Sequence, residues 1–584
     1  MIYKEYEMLK RSEIIKEIVK RIERTKQIDQ KIYTKGGLSR HIYEEPVFSA
    51  GFGDDIMSSV GLEGIEINNV QDRSVVGLEG IEINNVQDRS VCLNSVSDVS
   101  ETNLQEEGVD EGSNFQHDGI NVLLLKNKNK LLLNSFDNLM KDNKTIKDGF
   151  KSIESNDGIT LDLDFNVNQF HIKGNKIIVV GSKDDYGYKK YKNNMNIINI
   201  YTFDSKGFKL EETNTITGKI DTTRVIGDKV YIVNEYIAYI DKSDSTKNNF
   251  FPELNSKSLL NSSKVILEDC NKSIYINVLL SINLENYKKQ YRTLISDKLT
   301  TKYFSPSYAL LAYEHDSNDC TINSFKISKK LSYIGKVSIK GNLLNSFALS
   351  EKDGIIRTAT TYVDRQNANN NKNFLYTIKI TKSKVLDTYN GFGKDRETIN
   401  GIRFYKDIAY IVTFEKTDPL YTFDLSKPKK IKFLGELEIP GYSKYFHQID
   451  DKRIISLGKD ANEDGLETGV LFQLFDISDL KNVKLIDKIK YGSSWCVTTP
   501  VFEDQKYLSY RPSDNLIAFE INNWGFFEPT ENFLNILKIE ENNLIKVKKT
   551  EVLKDNKYRT VLLTKNNTDY IMMVKNGLIR IDEV

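Results

Sequence analysis

Two similar units set 52 residues apart constrain this chain more than any other feature. LYTFDLSKPKKIKFLGELEIPG at 420–441 realigns with FQLFDISDLKNVKLIDKIKYG at 472–492 when Asp424 is placed on Asp476. In the same way, Gly174-Asn175-Lys176 ahead of IIVV stands 53 residues before Gly227-Asp228-Lys229 ahead of VYIV. The shared form is an apolar strand, an Asp-apolar-Ser step, a polar turn and a second strand. A strand-rich repeat of about 50 residues is what one blade of a β-propeller requires: four antiparallel strands joined by tight turns, with the blades closed into a ring that protects their edges.

The rest of the C-terminal four fifths has the same texture. KIIVVGS at 176–182, KVYIVNEY at 229–236, IAYIVTF at 408–414 and RIISLGK at 453–459 are short β-rich runs entered from polar turns, with only nine prolines in the chain and no sustained 3.6-residue pattern. The expectation is an all-β chain with a single propeller over 118–584. Insertions near 242–262 and 286–302 bring its count to seven or eight four-stranded blades.

The N-terminal fifth reads differently. Residues 1–35 are assigned to an amphipathic helix: over 4–32, Ile14, Ile15, Ile18, Val19 and Ile22 share a stripe, with Lys10, Lys16, Lys20, Arg21 and Arg24 elsewhere. Such a helix can pack on the propeller, make a weak contact with a membrane or take a partner helix. Residues 36–117 are rich in Gly, Ser, Asn, Asp and Glu and read as a low-complexity linker ending in a propeller entry motif at 101–117. Inside it VGLEGIEINNVQDRSV occurs at 60–75 and again at 76–91. Two copies are too few for a solenoid, so the repeat is read as a tandem duplication in a tolerant linker.

Bulk properties exclude several classes. Lys plus Arg equals Asp plus Glu at 82 each, so no global field draws the chain to nucleic acid or to an anionic membrane. Cys92, Cys270, Cys320 and Cys496 form no CxxC pair, which indicates neither a zinc site nor a disulfide framework and leaves a Cys270–Cys320 bridge as the one pairing to consider. There is no apolar window of about 18 residues, and MIYKEYEMLKRSEIIKEIVKRIER, charged throughout, lacks the apolar core of a signal peptide.

Few residues point to chemistry. Asp460, Asn462, Asp464 and Gly465 reproduce the front half of an EF-hand loop, with oxygen ligands at alternate positions and a glycine for the sharp turn. Leu471 stands where the closing glutamate belongs and the flanks read as strands, so the site expected is a weak Ca²⁺ hairpin of Asp460, Asn462, Asp464 and Glu467. A plain polar turn is the other reading. His41, His117, His171, His315 and His447 form no HExxH pair, and His315-Asp316 with Asp319 is the densest polar cluster. No GxSxG elbow, P-loop or GxGxxG helix entry is present. Trp495 and Trp524 can supply a sugar-stacking surface, although blade cores consume aromatic residues too.

The stretch TNLQEEGVDEGSNFQHDG at 102–119 resembles the signature T-N-x-Q-x-x-G-V-D-E followed by D-G of secreted or cell-surface bacterial and archaeal proteins with a C-terminal β-propeller domain distantly related to WD40 repeats. TTRVIGDKVYIVNEY at 222–236, GNLLNSFALSEKDGIIRTATT at 341–361, the run from Gly401 to His447 and DNLIAFEI at 514–521 fit the same family in order. Gly112-Ser113 replaces the family's usual Ala-Asp, and Asp504-Gln505 stands where a His-Lys pair is frequent. The resemblance implies a propeller and an extracellular or envelope location, marks Gly108, Val109, Asp110, Glu111, Asp118 and Gly119 as family-motif residues, and confers no activity. The missing leader leaves the cytoplasm open.

Read from the residues themselves, Gly108 and Gly119 permit turns with positive φ, Asp110, Glu111 and Asp118 bond turn amides, and NVLLL at 121–125 begins the first blade strand. A metal or ligand role for those carboxylates is the alternative. The function expected is a non-enzymatic recognition module with a protein or carbohydrate ligand at the cell envelope and no nucleic acid. The competing expectation is a hydrolase or lyase, for example polysaccharide-directed, in the central funnel.

Overall fold

A computed structural model describes Ile18, Lys20 and residues 96–584 except 142–150, 153–157, 184–193, 239–250, 269–273, 316, 365, 367–369, 415–417, 440, 463–464, 525–531, 553–556 and 576. The expected linker, up to residue 95, and both copies of the duplication lie outside the described residues, as does the expected helix apart from Ile18 and Lys20, which are helical. Ile18 is fully buried against Tyr236, Phe251, Ile276 and Ile295.

From Phe115 onward strands follow one another with almost no helix. Among the described residues, the strands form five four-stranded sheets, two five-stranded sheets and one eleven-stranded sheet. The plainest sheets, at 301–340, 349–390, 398–439 and 442–491, each pair four strands in chain order, every strand antiparallel to the last. The repeat offset of 52 is a turn in such a sheet. Asp424 and Asp476 each close a third strand and accept the amide two residues on, Ser426 or Ser478, at 2.8 Å. This Asx turn fixes the exit angle, and it buries the middle residue, Leu425 or Ile477, to 3% exposure.

Each sheet is covered on both faces, so its central strands are buried along their length instead of alternating buried with exposed: Lys176–Ser182 buries every residue after the first. The shared cores run from sheet to sheet. Leu123 and Leu131 meet Phe170 and Val179; Ile178 and Ile198 meet Ile232 and Leu280; Val233 and Leu279 meet Leu311 and Phe325. The sequence of contacts continues through 303–431, 410–483, 445–544 and 516–573. It returns to its start where Val561, Met572 and Ile581 pack on Phe115, Val122 and Leu132. A ring of antiparallel sheets closed in this way is a β-propeller, in agreement with the all-β expectation.

Closure joins the two ends of the fold. Val96–Ser97 pairs antiparallel with Thr564–Lys565, so an early strand completes the sheet made by the last three. Phe115–His117 is the inner strand of the next sheet and pairs with Val122–Leu124. NVLLL is therefore the second strand there, not the first as expected, because Asp118-Gly119 forms a hairpin turn and not a strand entrance. Gly207–Ile226, 20 residues long, pairs first with Asn194–Asp204 and then with Lys229–Ile237, which fuses two packed sheets into the eleven-stranded one. Cys320 is a buried free thiol, and Cys270 lies outside the described residues.

Candidate functional site

Residues 100–113 cross the inner edges of successive sheets before the chain enters its first sheet at Phe115. The segment visits the sheets in reverse chain order. Ser100 N donates to Leu562 O at 2.8 Å, and Glu101 bridges Tyr510. Asn103 Nδ2 donates to the Tyr445 hydroxyl at 2.7 Å and to Gln505 O at 2.9 Å. Gln105 accepts at its carbonyl from Arg403 Nη2 at 3.2 Å and donates from Nε2 to Ser346 O at 2.7 Å. The Glu106 carboxylate takes the Tyr303 hydroxyl at 2.8 Å. Asp110 and Glu111 then pair with Val225 and Arg224, and Ser113 exchanges backbone bonds with Phe170 before the chain enters its first sheet.

Both motif glycines hold the positive φ expected of them, +75° at Gly108 and +91° at Gly119. Asp118 does bond turn amides, accepting from Ile120 N at 2.9 Å and Asn121 N at 2.6 Å. Asp110 and Glu111 depart from that expectation, since their carboxylates bond side chains, Gln116 and His171 for Asp110 and Lys506 and Gln505 for Glu111, apart from one amide bond from Gln105 to Glu111 at 3.2 Å. The strand pairing at 224–225 turns their side chains toward other blades instead of their own turn. Val109 is buried at 2% exposure among Tyr231, Val233 and Leu279.

Glu111 is the charged centre of this arrangement. It is 5% exposed and accepts from Lys506 Nζ at 3.1 Å and from Gln505 Nε2 at 3.2 Å, with Arg224 Nη2 at 3.8 Å. Burial alone would raise its pKa, but Arg224 and Lys506 outweigh that and hold the carboxyl below its usual range. Asp504 likewise is held low against burial by Arg559 at 2.6 Å and by Lys506 at 3.5 Å. Glu106, whose cations are less direct, is pushed up by burial. The buried carboxylates Glu111 and Asp504 are thus each paired with cations, as charges taken out of water must be.

Asp110, His171 and Thr223 line up in sequence: Asp110 Oδ2 lies 2.7 Å from His171 Nδ1, and His171 Nε2 lies 2.7 Å from Thr223 Oγ1. Carboxylate, imidazole and hydroxyl in this order are the parts of a nucleophilic relay. Here His171 and Thr223 are fully buried, Thr223 donates to Gln169 Oε1 at 2.9 Å, and a β-carbon on Gly112 would stand 2.4 Å from Thr223 Oγ1. The axial segment covers the hydroxyl, and the three groups act as a brace between it and two blades. Glycine at 112, where the resemblance has alanine, allows this close approach.

Beside the segment, a cleft enclosing about 310 Å³, solvent-open space included, is lined by Asn103, His117, Lys506, Ser509 and Arg559. Burial lowers His117 to about 4 and His447 to about 3, so both imidazoles are neutral at neutral pH. His447 is bonded to the Tyr445 hydroxyl at 3.2 Å, as a blade residue. His315 bonds Thr321 at 2.8 Å, and its neighbour Asp316 is outside the described residues.

The expected calcium residues are placed differently from one another. Asp460 pairs with Lys490 at 2.5 Å and accepts from Thr468; Glu467 pairs with Lys459 at 2.8 Å and accepts from Tyr442. Asn462 Oδ1 accepts from Leu466 N at 2.9 Å within the turn, and Asp464 is outside the described residues. No group of three metal-ligating side chains occurs among the described residues. On the same face, Trp495 is 67% exposed, Leu466 65% and Trp524 46%. Trp524 N donates to Cys496 O at 3.3 Å and Lys459 Nζ to Trp495 O at 3.0 Å, which sets both tryptophans beside the 460–467 turn.

A family model described as a beta propeller domain matches residues 99–583, so the match takes in the axial segment. An uncharacterised protein of Methanocaldococcus jannaschii is 37% identical over 242 residues, 41% of this chain and 34% of its own length. An uncharacterised protein of Archaeoglobus fulgidus is 42% identical over 159 residues, 27% of this chain and 23% of its own. The chain therefore spans about a third or less of the length of the relatives it matches. Among solved structures, the β-propeller domain of the trilobed protease from Pyrococcus furiosus aligns with a TM-score of 0.32 at 11% identity, covering 67% of this chain and 98% of that one. Pyrococcus horikoshii acylaminoacyl peptidase aligns at 0.30 and 10% identity, covering 62% and 51%. With one family model spanning the ring and the strand that fills its axis, the chain belongs to the beta propeller domain family.

Proposed function

We propose that the protein is a non-enzymatic recognition module acting at the cell envelope, and that it binds its protein or carbohydrate ligand on the face that carries Trp495 and Trp524. One observation carries this reading: the only two tryptophans of the chain are both exposed, on adjacent loops of one face. Such rings offer flat apolar area at low entropy cost, and the loop of Trp495 is fixed from below by the buried Lys459, which bonds Trp495 O at 3.0 Å and Val497 O at 2.8 Å. A carbohydrate is the ligand class that best uses this combination. The funnel, where a hydrolase or lyase would keep its site, is crossed by residues 100–113, which supports recognition over catalysis. The envelope location rests on the family resemblance; among the described residues no helix is long and apolar enough to cross a membrane. We read the eleven-stranded sheet as two blades fused through Gly207–Ile226, which makes nine blades where the repeat length, reduced for insertions near 242–262 and 286–302, led to an expectation of seven or eight.

Because tryptophan occurs nowhere else, its fluorescence reports this face directly. Titration with soluble xylan, chitin and pullulan fragments is expected to shift the emission for one of them, and Trp495→Ala with Trp524→Ala to weaken pull-down on the matching insoluble polymer at least about tenfold, as for loss of an aromatic anchor. Undiminished binding by the double variant would overturn the reading, and turnover of a polymer by the full chain would replace it with the hydrolase.

A further inference from the structure

The equal totals of acidic and basic residues conceal an uneven distribution. In each of four consecutive sheets the turn from third to fourth strand is rich in lysine. Lys326, Lys329 and Lys330 are exposed at the turn of the 301–340 sheet, and Lys382 and Lys384 at that of 349–390. Lys427, Lys429, Lys430 and Lys432 are exposed at the turn of 398–439, and Lys481 and Lys484 at that of 442–491.

These turns adjoin. A β-carbon on Gly335 would stand 2.3 Å from Ser383 Oγ, Ile431 N donates to Asp387 Oδ2 at 2.7 Å, and Thr422 Oγ1 donates to Leu480 O at 2.7 Å, so each turn leans on the preceding sheet. A register shift at the same point of each third strand, beside Phe325, Ile378, Phe423 and Phe475, produces the lean. Because the strands of every sheet alternate in the same order, all four turns lie on one face. Trp495, Trp524 and Leu466 lie on the other.

The lysines of this arc outnumber the acids in the same turns, Asp424, Asp476 and Asp479. The acids within the turns are few and bond turn amides: Asp424 and Asp476 cap Ser426 and Ser478, and Asp479 caps Lys481 N at 3.0 Å. First-to-second-strand turns on the same face do pair their charges, Lys352 with Asp407, Lys406 with Asp451 and Arg453 with Asp450. Among the described residues no arc lysine makes an ion pair within 4 Å of the kind seen at Lys352 and Lys406; Lys427 and Lys432 feel Asp424, and Lys484 feels Asp476, only at longer range. No arginine stands in these four turns. Lysine is a hydrated point charge without the fork that grips a single carboxylate or phosphate, so a row of lysines spread over four blades suits a diffuse, planar negative field.

We propose that this arc docks the propeller on an anionic lipid surface, leaving the tryptophan face turned away from the bilayer. The field is local, which is why the neutral total failed to announce it. The test is co-sedimentation of the full chain with phosphatidylcholine vesicles, with and without phosphatidylglycerol, at about 50 and 300 mM salt, where screening differs about twofold in length. Retention is expected only with phosphatidylglycerol and to fall with salt. At about fivefold per lysine, Lys427→Gln, Lys429→Gln, Lys430→Gln and Lys432→Gln together should weaken it by hundreds-fold while leaving the thermal melt unchanged. No retention on phosphatidylglycerol vesicles, or retention unchanged in the fourfold variant, would overturn the proposal, the latter by moving the contact elsewhere, such as residues 4–32. Binding of soluble polyphosphate without binding of vesicles would also overturn it, in favour of a polymer.

Discussion

Removing the charge of Glu111 tests whether the axial segment is held by a closed network. Glu111→Gln keeps the shape of the side chain but leaves Lys506, 3.1 Å away, and Arg224, 3.8 Å away, without their shared anion. Breaking a buried pair from one side costs about 3 to 5 kcal/mol. Lys506 keeps Asp504 at 3.5 Å and Arg224 keeps Thr222 Oγ1 at 2.8 Å, so the low end, about 3 kcal/mol, is expected. Urea unfolding measures it, and amide hydrogen exchange over 103–113 shows whether the loss is local to the segment. The pH dependence has a definite sign. A carboxyl held below its unfolded pKa of 4.5 contributes stability above that value and loses it as pH falls through the folded value, so the variant should lack part of the acid limb of the parent. Glu111→Leu combined with Lys506→Met, set against the single changes, should show coupling of about 0.5 to 3 kcal/mol. A loss below about 0.5 kcal/mol for Glu111→Gln, with unchanged exchange, would refute the network, because a surface-like substitution costs no more than that.

Glu520, 1% exposed, is pushed up to about 8 by burial, so the folded state binds its proton more tightly than the unfolded chain. Its contribution is full below the unfolded value of 4.5 and is lost as pH rises toward 8, by about 4 to 5 kcal/mol in all, at about 1.4 kcal/mol per pH unit; Glu520→Gln should flatten that limb in melts taken from pH 5 to 9, and an unchanged limb would refute the assignment. Calcium at the 460–467 turn requires Asp460 to leave Lys490 and Glu467 to leave Lys459. Any stabilisation at about 1 mM Ca²⁺ should therefore stay below ~0.5 kcal/mol and vanish in Asp460→Ala, as for a dissociation constant no tighter than about 10⁻³ M; a larger shift, or one that survives the substitution, contradicts this weighing.

What the sequence determined by itself was local and periodic. The 52-residue offset fixed the Asx turns at Asp424 and Asp476, because a short carboxylate bonds its own amide two residues on whatever surrounds it. Gly108 and Gly119 announced positive φ, since no side chain there collides with the backbone. Apolar runs such as Lys176–Ser182 announced strands. The tertiary structure alone decided what depends on ring closure. Asp110 meets His171 across 61 positions, and Glu111 meets Lys506 across 395. No spacing in the chain encodes such pairs, because they form only when inner strands from distant blades converge on one axis. The lysine arc was hidden for the same reason: each short cluster of lysines reads as a solvated turn until the common order of strands puts all of them on one face. Charge totals add over the whole surface, whereas a partner feels only the nearest face, within about a Debye length.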